Sequence, residues 1–228
     1  MASLTDIGRK YGTDKVTHHF TEYYDRIFSG MREQKFNLLE IGVFFGSSVK
    51  MWNEYFQKAT IYGADTFEGK QGNGRVFENP EKYYKEWESQ RPNRVELVKL
   101  DQSSKVEMQK FVDYCKNLNI RFKIIIDDGS HLMHDQQITF FYLWELLEDG
   151  GIFIMEDIHT SEQHKYDLNK ERTNSTKKLF MSMKNENKPF RSVYIDNIDR
   201  CNEITREVKT IDLHYVSSSS QTMMIQKI

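Results

Sequence analysis

Five short apolar runs, each followed by polar turn residues, recur along the chain and predict the strands of one sheet. They cover residues 36–41, 60–65, 95–101, 122–127 and 152–155. Between them, segments such as 105–118 and 132–147 carry apolar residues at helical spacing. Strands that alternate with helices predict an α/β fold with a parallel sheet. Near the C-terminus, residues 208–216 and 221–228 flank a run of serines and predict an antiparallel hairpin.

The first 35 residues predict an N-terminal helical cap or lid that precedes the sheet. An aromatic stripe at helical spacing is typical of core packing, and it consists of Phe20, Tyr23, Tyr24, Ile27 and Phe28. The preceding segment, Tyr11-Gly12-Thr13-Asp14-Lys15, has two interpretations. Thr13 or Asp14 caps the first free N–H groups of a helix, or the segment is a lid over a site. The chain has three prolines and no low-complexity tract, so residues 36–228 are predicted to be one domain.

A glycine-bearing turn follows the first apolar run, with the spacing Glu40-x-Gly42-x-x-x-Gly46. Such a turn lets a ligand approach the backbone, and the helix predicted to start near Ser47 offers N–H groups to a polar or anionic group. The spacing lacks the Gly-x-Gly-x-x-Gly pattern for dinucleotides and the Gly-Lys-Ser/Thr pattern for triphosphates. The turn therefore predicts a seat for a cofactor without a diphosphate. The alternative is a turn whose glycines only permit tight packing.

Acidic residues end the second and third apolar runs. Asp65 ends the second run, where an acid can accept hydrogen bonds from a ribose diol; the alternative is an acid that caps a turn. Asp101 ends the third run. Between them, residues 66–94 are rich in glycine and charge and predict a long loop with a short helix near 81–88. Loops of this length are usually functional or mobile, so we expect substrate contacts there.

Two acidic turns follow the fourth and fifth runs. Side chains alternate along a strand, so Asp127 and Asp128 should point apart, and His131 lies three residues beyond Asp128. Parallel strands would bring Asp128 to the same sheet edge as Glu156 and Asp157. Three converging carboxylates repel one another unless a positive charge lies between them, and a hard divalent cation such as Mg²⁺ meets that need. The alternative is a solvated acidic loop.

Taken together, these motifs resemble a known enzyme family. The glycine turn resembles motif I of the class I S-adenosylmethionine-dependent methyltransferases. Residues 126–131, Ile-Asp-Asp-Gly-Ser-His, and 150–161, Gly-Gly-x-x-x-x-Glu-Asp-x-x-Thr-Ser, are similar to the metal-dependent sugar O-methyltransferases of macrolide biosynthesis and to related glycan methyltransferases. The resemblance covers about residues 7–161. It implies a Rossmann-like, doubly wound seven-stranded sheet, mostly parallel with a C-terminal antiparallel hairpin and with helices on both faces.

The resemblance also implies two cofactors and a set of site residues. S-adenosylmethionine is one cofactor, and Mg²⁺ is the other, held by Asp128, Glu156 and Asp157. His131 is the expected general base, with Asp128 beside it in catalysis; His134, one helical turn further on, would orient His131 or replace it. Glu40 is expected to face the cofactor's amino group, and Asp101 its adenine. The full set expected to bind this cofactor is Lys15, Glu40, Gly42, Gly46, Ser47, Asp65, Asp101, Gln102 and Asp127.

Composition limits the partners. A net charge of −2 and a pI near 6.4 give no global field for nucleic acid or a membrane surface. The apolar runs are far shorter than the ~20 residues that cross a bilayer, and the N-terminus has no secretory pattern. Cys115 and Cys201 have no metal-ligand spacing. We therefore expect a cytoplasmic protein with a small-molecule substrate, for which the aromatic N-terminal helix offers a homo-oligomer contact.

The expected reaction is methyl transfer from S-adenosylmethionine to a hydroxyl of a sugar, whether free, nucleotide-linked or part of a glycoside. Two other classes stay open. A metal-dependent catechol or small-phenol O-methyltransferase would use the same cofactor and a divalent metal in the same way. A non-catalytic cofactor-binding partner subunit would keep the same acids without turnover.

Overall fold

The computed structural model describes residues 1–68, 85, 88–89, 91–167 and 175–228. Its strands are β1 (Asn37–Ile41), β2 (Thr60–Asp65), β3 (Val95–Lys99), β4 (Phe122–Asp127), β5 (Leu147–Met155), β6 (Val208–Ser217) and β7 (Ser220–Lys227). Its described helices are α1 (Leu4–Tyr11), α2 (Phe20–Phe28), α3 (Ser47–Tyr55), α4 (Lys105–Asn117), α5 (Met133–Leu143), α6 (Thr176–Glu186) and α7 (Ile198–Glu207).

The strands form a seven-stranded sheet in the order β3-β2-β1-β4-β5-β7-β6. The β1–β2, β2–β3 and β4–β5 pairs are parallel, whereas β7 is antiparallel to both β5 and β6. This confirms the predicted Rossmann-like α/β sheet, mostly parallel with a C-terminal antiparallel hairpin. By contact density the chain divides into two compact units, residues 1–100 and 101–228. The single domain over residues 36–228 and the separate cap over 1–35 stay predictions.

In the first unit, an aromatic cluster joins the N-terminal helices to α3. The Trp52 ring lies 5.9 Å from the Tyr24 ring and 6.4 Å from the Phe28 ring, and all three side chains are fully buried. Such ring pairs add to the area they bury. Phe20, Tyr24 and Phe28 of the aromatic stripe are therefore core, as the spacing predicts, whereas Tyr23 and Ile27 are only half-buried. Helix α2 begins after His19, whose side chain makes no capping hydrogen bond, so the prediction that Thr13 or Asp14 caps this helix was wrong.

In the second unit, the register of β4 on β5 decides where the acidic turns lie. Ile126 pairs with Ile154, and Asp127 pairs with Met155. All four of these residues are buried, and all but Asp127 are apolar. Because the strands are parallel and end at the same level, the residues after Asp127 and after Met155 emerge side by side.

Two element boundaries in the second unit differ from the prediction. The helix expected over 132–147 ends at Leu143, and β5 begins at Leu147 rather than at Ile152. The sequence Asp149-Gly150-Gly151 resembles a helix stop, yet it forms an irregularity inside a strand, where Gly150 has a φ of 65°. Glycine provides the same left-handed freedom in a bulge as at a helix end.

Two further segments were misjudged. Helix α7 was not predicted; Asn197 caps it by accepting a hydrogen bond from the Arg200 N–H (3.0 Å). The alternation of apolar and polar residues over 190–195 could also indicate a short strand, but that described segment contains a turn and no strand.

Two apolar residues of the 105–118 segment lie outside the core. Val106, in the first turn of α4, and Leu118, directly after its end, are 63% and 54% exposed. Most of the predicted 66–94 loop and its helix at 81–88 lies outside the described residues. Among the described helices, none is long and apolar enough to cross a membrane.

Candidate functional site

The turn between β1 and α3 depends on left-handed backbone conformations. Gly42 has a φ of 93°, Gly46 a φ of 71°, and Phe44 between them a φ of 49°. The Gly42 N–H donates to the Ala64 carbonyl (2.8 Å), and the Gly46 N–H donates to the Val43 carbonyl (2.7 Å). Glycine adopts these angles without a steric penalty. The two glycines therefore have a conformational role, and α3 starts at Ser47 with Gly46 as its N-cap.

Asp65, at the end of β2, holds this turn. Its Oδ2 atom accepts hydrogen bonds from the backbone N–H groups of Val43 (2.8 Å) and Phe44 (3.2 Å). Its Oδ1 atom accepts one from the Phe67 N–H (2.9 Å). The side chain thus caps a turn, the alternative that the sequence left open. A hydrogen bond from a ribose hydroxyl to Asp65 stays a prediction.

Glu40, on β1, is fully buried and pairs with Lys15. The Lys15 Nζ atom lies 3.2 Å from Glu40 Oε1, and the two residues are 1% and 0% exposed. Glu40 also accepts hydrogen bonds from Ser48 Oγ (2.8 Å) and Trp52 Nε1 (3.3 Å). Both residues were predicted to bind the cofactor, but nothing in the sequence pattern predicted that they pair.

In the second unit, Gln102 braces the turn after β4. Its Nε2 atom donates to Asp127 Oδ1 (3.1 Å) and to Thr139 Oγ1 (3.0 Å), and its Oε1 atom accepts from the Ser130 N–H (2.8 Å). A Cβ atom added to Gly129 would lie 1.8 Å from Gln102 Oε1. Glycine is therefore needed at position 129 for the amide to approach. Asp101, beside Gln102, accepts two hydrogen bonds from Ser103 through Oδ1.

Asp127 and Asp128 have different surroundings, as the alternation of side chains on a strand predicts. Asp127 is 1% exposed, and burial raises the pKa of its carboxyl group to about 6. Its Oδ2 atom has no hydrogen-bond partner among the described residues. Asp128 is half-buried and belongs to an acidic cluster beyond the strand end.

That cluster consists of Asp128, His131 and Asp157, each of which offers one ligand atom within 4.8 Å of the others. The His131 Nε2 atom lies 3.6 Å from Asp157 Oδ2. Both residues have left-handed backbones, with φ values of 60° and 49°. Such conformations cost about 1–3 kcal/mol each and are concentrated at functional sites. Thr160 stabilises them, because its Oγ1 donates to the His131 carbonyl (3.0 Å) and its N–H donates to the Asp157 carbonyl (2.9 Å).

The donor set fits a divalent cation. Two carboxylates and an imidazole at this spacing can share one ion, and carboxylate oxygens are the ligands that Mg²⁺ prefers. A protonated His131 beside Asp157 is the other arrangement that would balance the charge. Glu156, the third predicted ligand, is 2% exposed and lies outside this cluster, and its N–H donates to the Asp127 carbonyl (2.9 Å). Its role as a ligand stays a prediction.

His134 lies outside the cluster as well. Its Nδ1 atom is 2.7 Å from Asp135 Oδ1, and its ring contacts the Tyr194 ring at 4.8 Å. Asp135 also accepts a hydrogen bond from Ser130 Oγ. His134 is thus linked through Asp135 to Ser130, in the turn that carries His131. Its role in orienting or replacing His131 stays a prediction.

Comparison with known proteins gives the family. Residues 39–158, more than half of the chain, match the model of a family described as a methyltransferase domain. The chain belongs to this family. The matched region starts on β1 and ends just after Asp157, so it includes both the glycine turn and the acidic cluster.

Relatives of this methyltransferase domain have names that agree with the resemblance seen in the motifs. L-olivosyl-oleandolide 3-O-methyltransferase of Streptomyces antibioticus is 27% identical over 167 residues, which cover 69% of this chain and 38% of that protein. Mycinamicin VI 2''-O-methyltransferase of Micromonospora griseorubida is 29% identical, over 69% of this chain and 36% of that protein. The predicted resemblance is confirmed. The chain spans little more than a third of the length of these curated relatives.

A solved structure shares the fold. The MycE methyltransferase from the mycinamycin biosynthetic pathway, in complex with Mg, SAH and mycinamycin VI, matches with a TM-score of 0.71 at 23% identity. The match covers 100% of this chain and 55% of that one.

Sequence reasoning about the methyltransferase domain missed the residues that hold the acidic turns. Thr139 and Thr160 are fully buried hydroxyls that bond to Gln102 and to the His131 backbone. The position of Thr139 on the apolar face of α5 was an available signal, because a buried hydroxyl needs a hydrogen-bond partner. Thr160 belongs to the Glu-Asp-x-x-Thr-Ser motif, but no local signal predicts its hydrogen bond to the His131 carbonyl, 29 residues away.

Proposed function

We propose that this methyltransferase domain transfers a methyl group from S-adenosylmethionine to a hydroxyl of a sugar, free, nucleotide-linked or in a glycoside, and that the reaction depends on Mg²⁺. The observation that carries the proposal is the cluster of Asp128, His131 and Asp157 in a chain of this family. The names of the relatives, which specify O-methylation of glycosylated antibiotics, support a sugar as the acceptor.

The proposed cofactor assignment is made for each unit separately. In residues 1–100, the glycine turn and Asp65 are the groups that we assign to the methionine and ribose parts, with support from the turn's left-handed backbone. In residues 101–228, Asp101, Gln102 and Asp127 are assigned to the adenine side. A carboxylate with an unpartnered oxygen, such as Asp127 Oδ2 among the described residues, suits a hydrogen-bond donor.

The metal assignment rests on Asp128 and Asp157, with Glu156 as a further proposed ligand. When bound, S-adenosylmethionine supplies an electrophilic methyl group, and a divalent cation favours the ionised form of a hydroxyl beside it. Asp128 and Asp157 would orient the acceptor by holding the ion at a fixed place. Their turns are rigid enough for this because β4 and β5 pair up to the last residue before each turn.

His131 is the proposed general base. Histidine changes its charge near neutral pH, which suits proton transfer in a cell. Its Nε2 atom lies 3.6 Å from Asp157 Oδ2, so that carboxylate would stabilise the imidazolium that forms when the ring accepts a proton. Thr160 holds the backbone of His131, which keeps the ring in place.

Transfer of a labelled methyl group across a panel of nucleotide sugars, glycosides and catechols tests the proposal. We expect transfer to a sugar that is lost with EDTA and restored by added Mg²⁺. Transfer that is indifferent to EDTA would remove the metal from the scheme. Transfer to catechols alone would replace the sugar by a phenol, and cofactor binding without transfer to any acceptor would favour a non-catalytic partner subunit.

The cellular setting is part of the same proposal. The net charge of −2 supports a small-molecule acceptor rather than nucleic acid. Cys115 and Cys201 are free and buried, which supports a reducing, cytoplasmic location. Sedimentation of the purified chain would test whether the N-terminal helices make a homo-oligomer.

A further inference from the structure

Lys15 and Glu40 form a buried ion pair at the base of the glycine turn. The Lys15 Nζ atom lies 3.2 Å from Glu40 Oε1, and protein atoms cover both residues almost completely, leaving 1% and 0% exposed. Removing two charges from water is costly unless they are paired and hydrogen-bonded. Glu40 meets this condition, because Oε2 accepts from Ser48 Oγ (2.8 Å) and Oε1 from Trp52 Nε1 (3.3 Å).

The donors to Glu40 come from both sides of the turn. Ser48 and Trp52 lie in the first two turns of α3, whereas Lys15 lies in the segment that follows α1. Glu40 itself lies on β1, two residues before Gly42. One carboxylate therefore joins the strand before the glycine turn, the helix after it and the N-terminal segment.

The N-terminal segment is packed closely against α3 at other points. A Cβ atom on Gly8 would lie 2.7 Å from Val16 Cγ2 and 3.2 Å from Met51 Sδ, so α1 and α3 approach as closely as glycine allows. The Tyr11 hydroxyl donates to Glu54 Oε2 (2.6 Å) on α3. These contacts suit an anchor more than a lid that opens.

Protein atoms cover Glu40 completely and Lys15 almost completely. Asp127 is as deeply buried, but its Oδ2 atom has no hydrogen-bond partner among the described residues, whereas both Glu40 oxygens accept hydrogen bonds. A carboxylate that accepts from a lysine, a hydroxyl and an indole is also poorly placed to take a further ammonium group.

We infer that Lys15 and Glu40 are positioning residues, which fix the glycine turn as a pair and do not contact the cofactor. This inference rests on the proposed function, because the ligand that the turn positions is taken to be S-adenosylmethionine. Residues 11–15 are then a fixed anchor for the cofactor turn.

A thermal-unfolding comparison tests the pairing. K15M leaves the Glu40 charge buried without Lys15, so we expect Tm to fall by about 6–20 °C. E40Q keeps both hydrogen bonds, since an amide oxygen accepts from Trp52 and an amide N–H donates to Ser48 Oγ. The K15M/E40Q double variant should therefore recover most of the lost Tm. K10M is the matched control, because Lys10 on α1 makes a more exposed ion pair with Glu54 on α3. The Tm of the K10M variant should change by less than about 4 °C.

A calorimetric binding comparison tests the absence of contact. S-adenosylhomocysteine carries the amino group, whereas 5′-S-(3-carboxypropyl)-5′-thioadenosine keeps the rest of the amino acid part and lacks only that group. If Glu40 acts only through the turn, the ratio of the Kd of the K15M/E40Q variant to that of the parent chain is the same for both ligands. A loss of tenfold or more that is confined to S-adenosylhomocysteine would show direct contact with the amino group and overturn the inference.

The thermal-unfolding comparison can also overturn the inference. A double variant that is no more stable than K15M, including the case in which neither folds, would overturn the pairing. If the parent chain binds neither ligand, the proposed cofactor is wrong, and the Tm comparison still decides whether the two residues act as a pair.

Discussion

Replacing Gln102 by methionine should destabilise the protein far more than the same change elsewhere. Methionine has a similar length but can neither donate nor accept the hydrogen bonds of the amide. In the structure, Gln102 makes three such bonds, to Asp127 Oδ1, Thr139 Oγ1 and the Ser130 N–H. The residue is 7% exposed, so water cannot easily replace the lost partners.

The magnitude follows from those three bonds. The two neutral bonds contribute about 1 kcal/mol each, and the bond to the carboxylate about 1.5–3 kcal/mol. The free energy of unfolding should therefore fall by about 3–5 kcal/mol. For a chain of this size each kcal/mol shifts Tm by about 2–4 °C, so Tm should fall by about 6–20 °C.

Gln109 offers a matched control on α4. Its Nε2 atom donates to Asp113 Oδ1 (2.9 Å) at an exposed position one turn away. Such pairs contribute about 0.2–0.5 kcal/mol, and methionine is as good a helix former as glutamine. Urea denaturation of the Q102M and Q109M variants measures both effects with one method.

Equal losses of stability in the two variants would refute the reasoning. A double-mutant cycle with G129A adds a second check. The new Cβ atom would displace the Gln102 amide, which it approaches at 1.8 Å, so G129A and Q102M should cost clearly less together than the sum of their separate effects. Strict additivity would mean that Gln102 does not brace the turn.

Three further predictions concern the acidic cluster and the thiols. Mg²⁺ at about 100 times its Kd should raise the Tm of the parent chain by about 5–11 °C but leave that of D128N unchanged, as differential scanning fluorimetry can show; a shift in D128N would remove Asp128 from the ligand set. H131Q should slow methyl transfer by ~10²-fold or more while the Kd of S-adenosylhomocysteine stays the same, and an undiminished rate would exclude His131 as the base. Burial raises the pKa of Cys115 to about 12 and also raises that of Cys201. The reactive thiolate is therefore scarce at pH 8, and a thiol reagent should label neither cysteine before unfolding and both after it.

Much of the fold was predictable because its signals are local. The isoleucine run before Asp127 and the serine run at 217–220 between two apolar segments each lie within a few residues of sequence. The boundary of β5 was not predictable in the same way. Asp149-Gly150-Gly151 has the composition of a helix stop, and only the pairing of Leu147 with Phe122 of β4 extends the strand back to Leu147.

For the candidate site, residue types indicated which chemical groups are present and which turns carry them. The glycine turn after β1, the acid at Asp128 and the imidazole at His131 follow from residue types at short spacing. The predicted strand order also indicated that Asp128 would lie near the Glu156-Asp157 turn, whereas tertiary packing fixed which of these groups come together. Packing brought Asp157 to His131, left Glu156 outside their cluster, and buried Lys15 against Glu40. The physical reason is that turns and helices depend on neighbouring residues, whereas the pairing of buried charges depends on how distant segments pack, which no local pattern records.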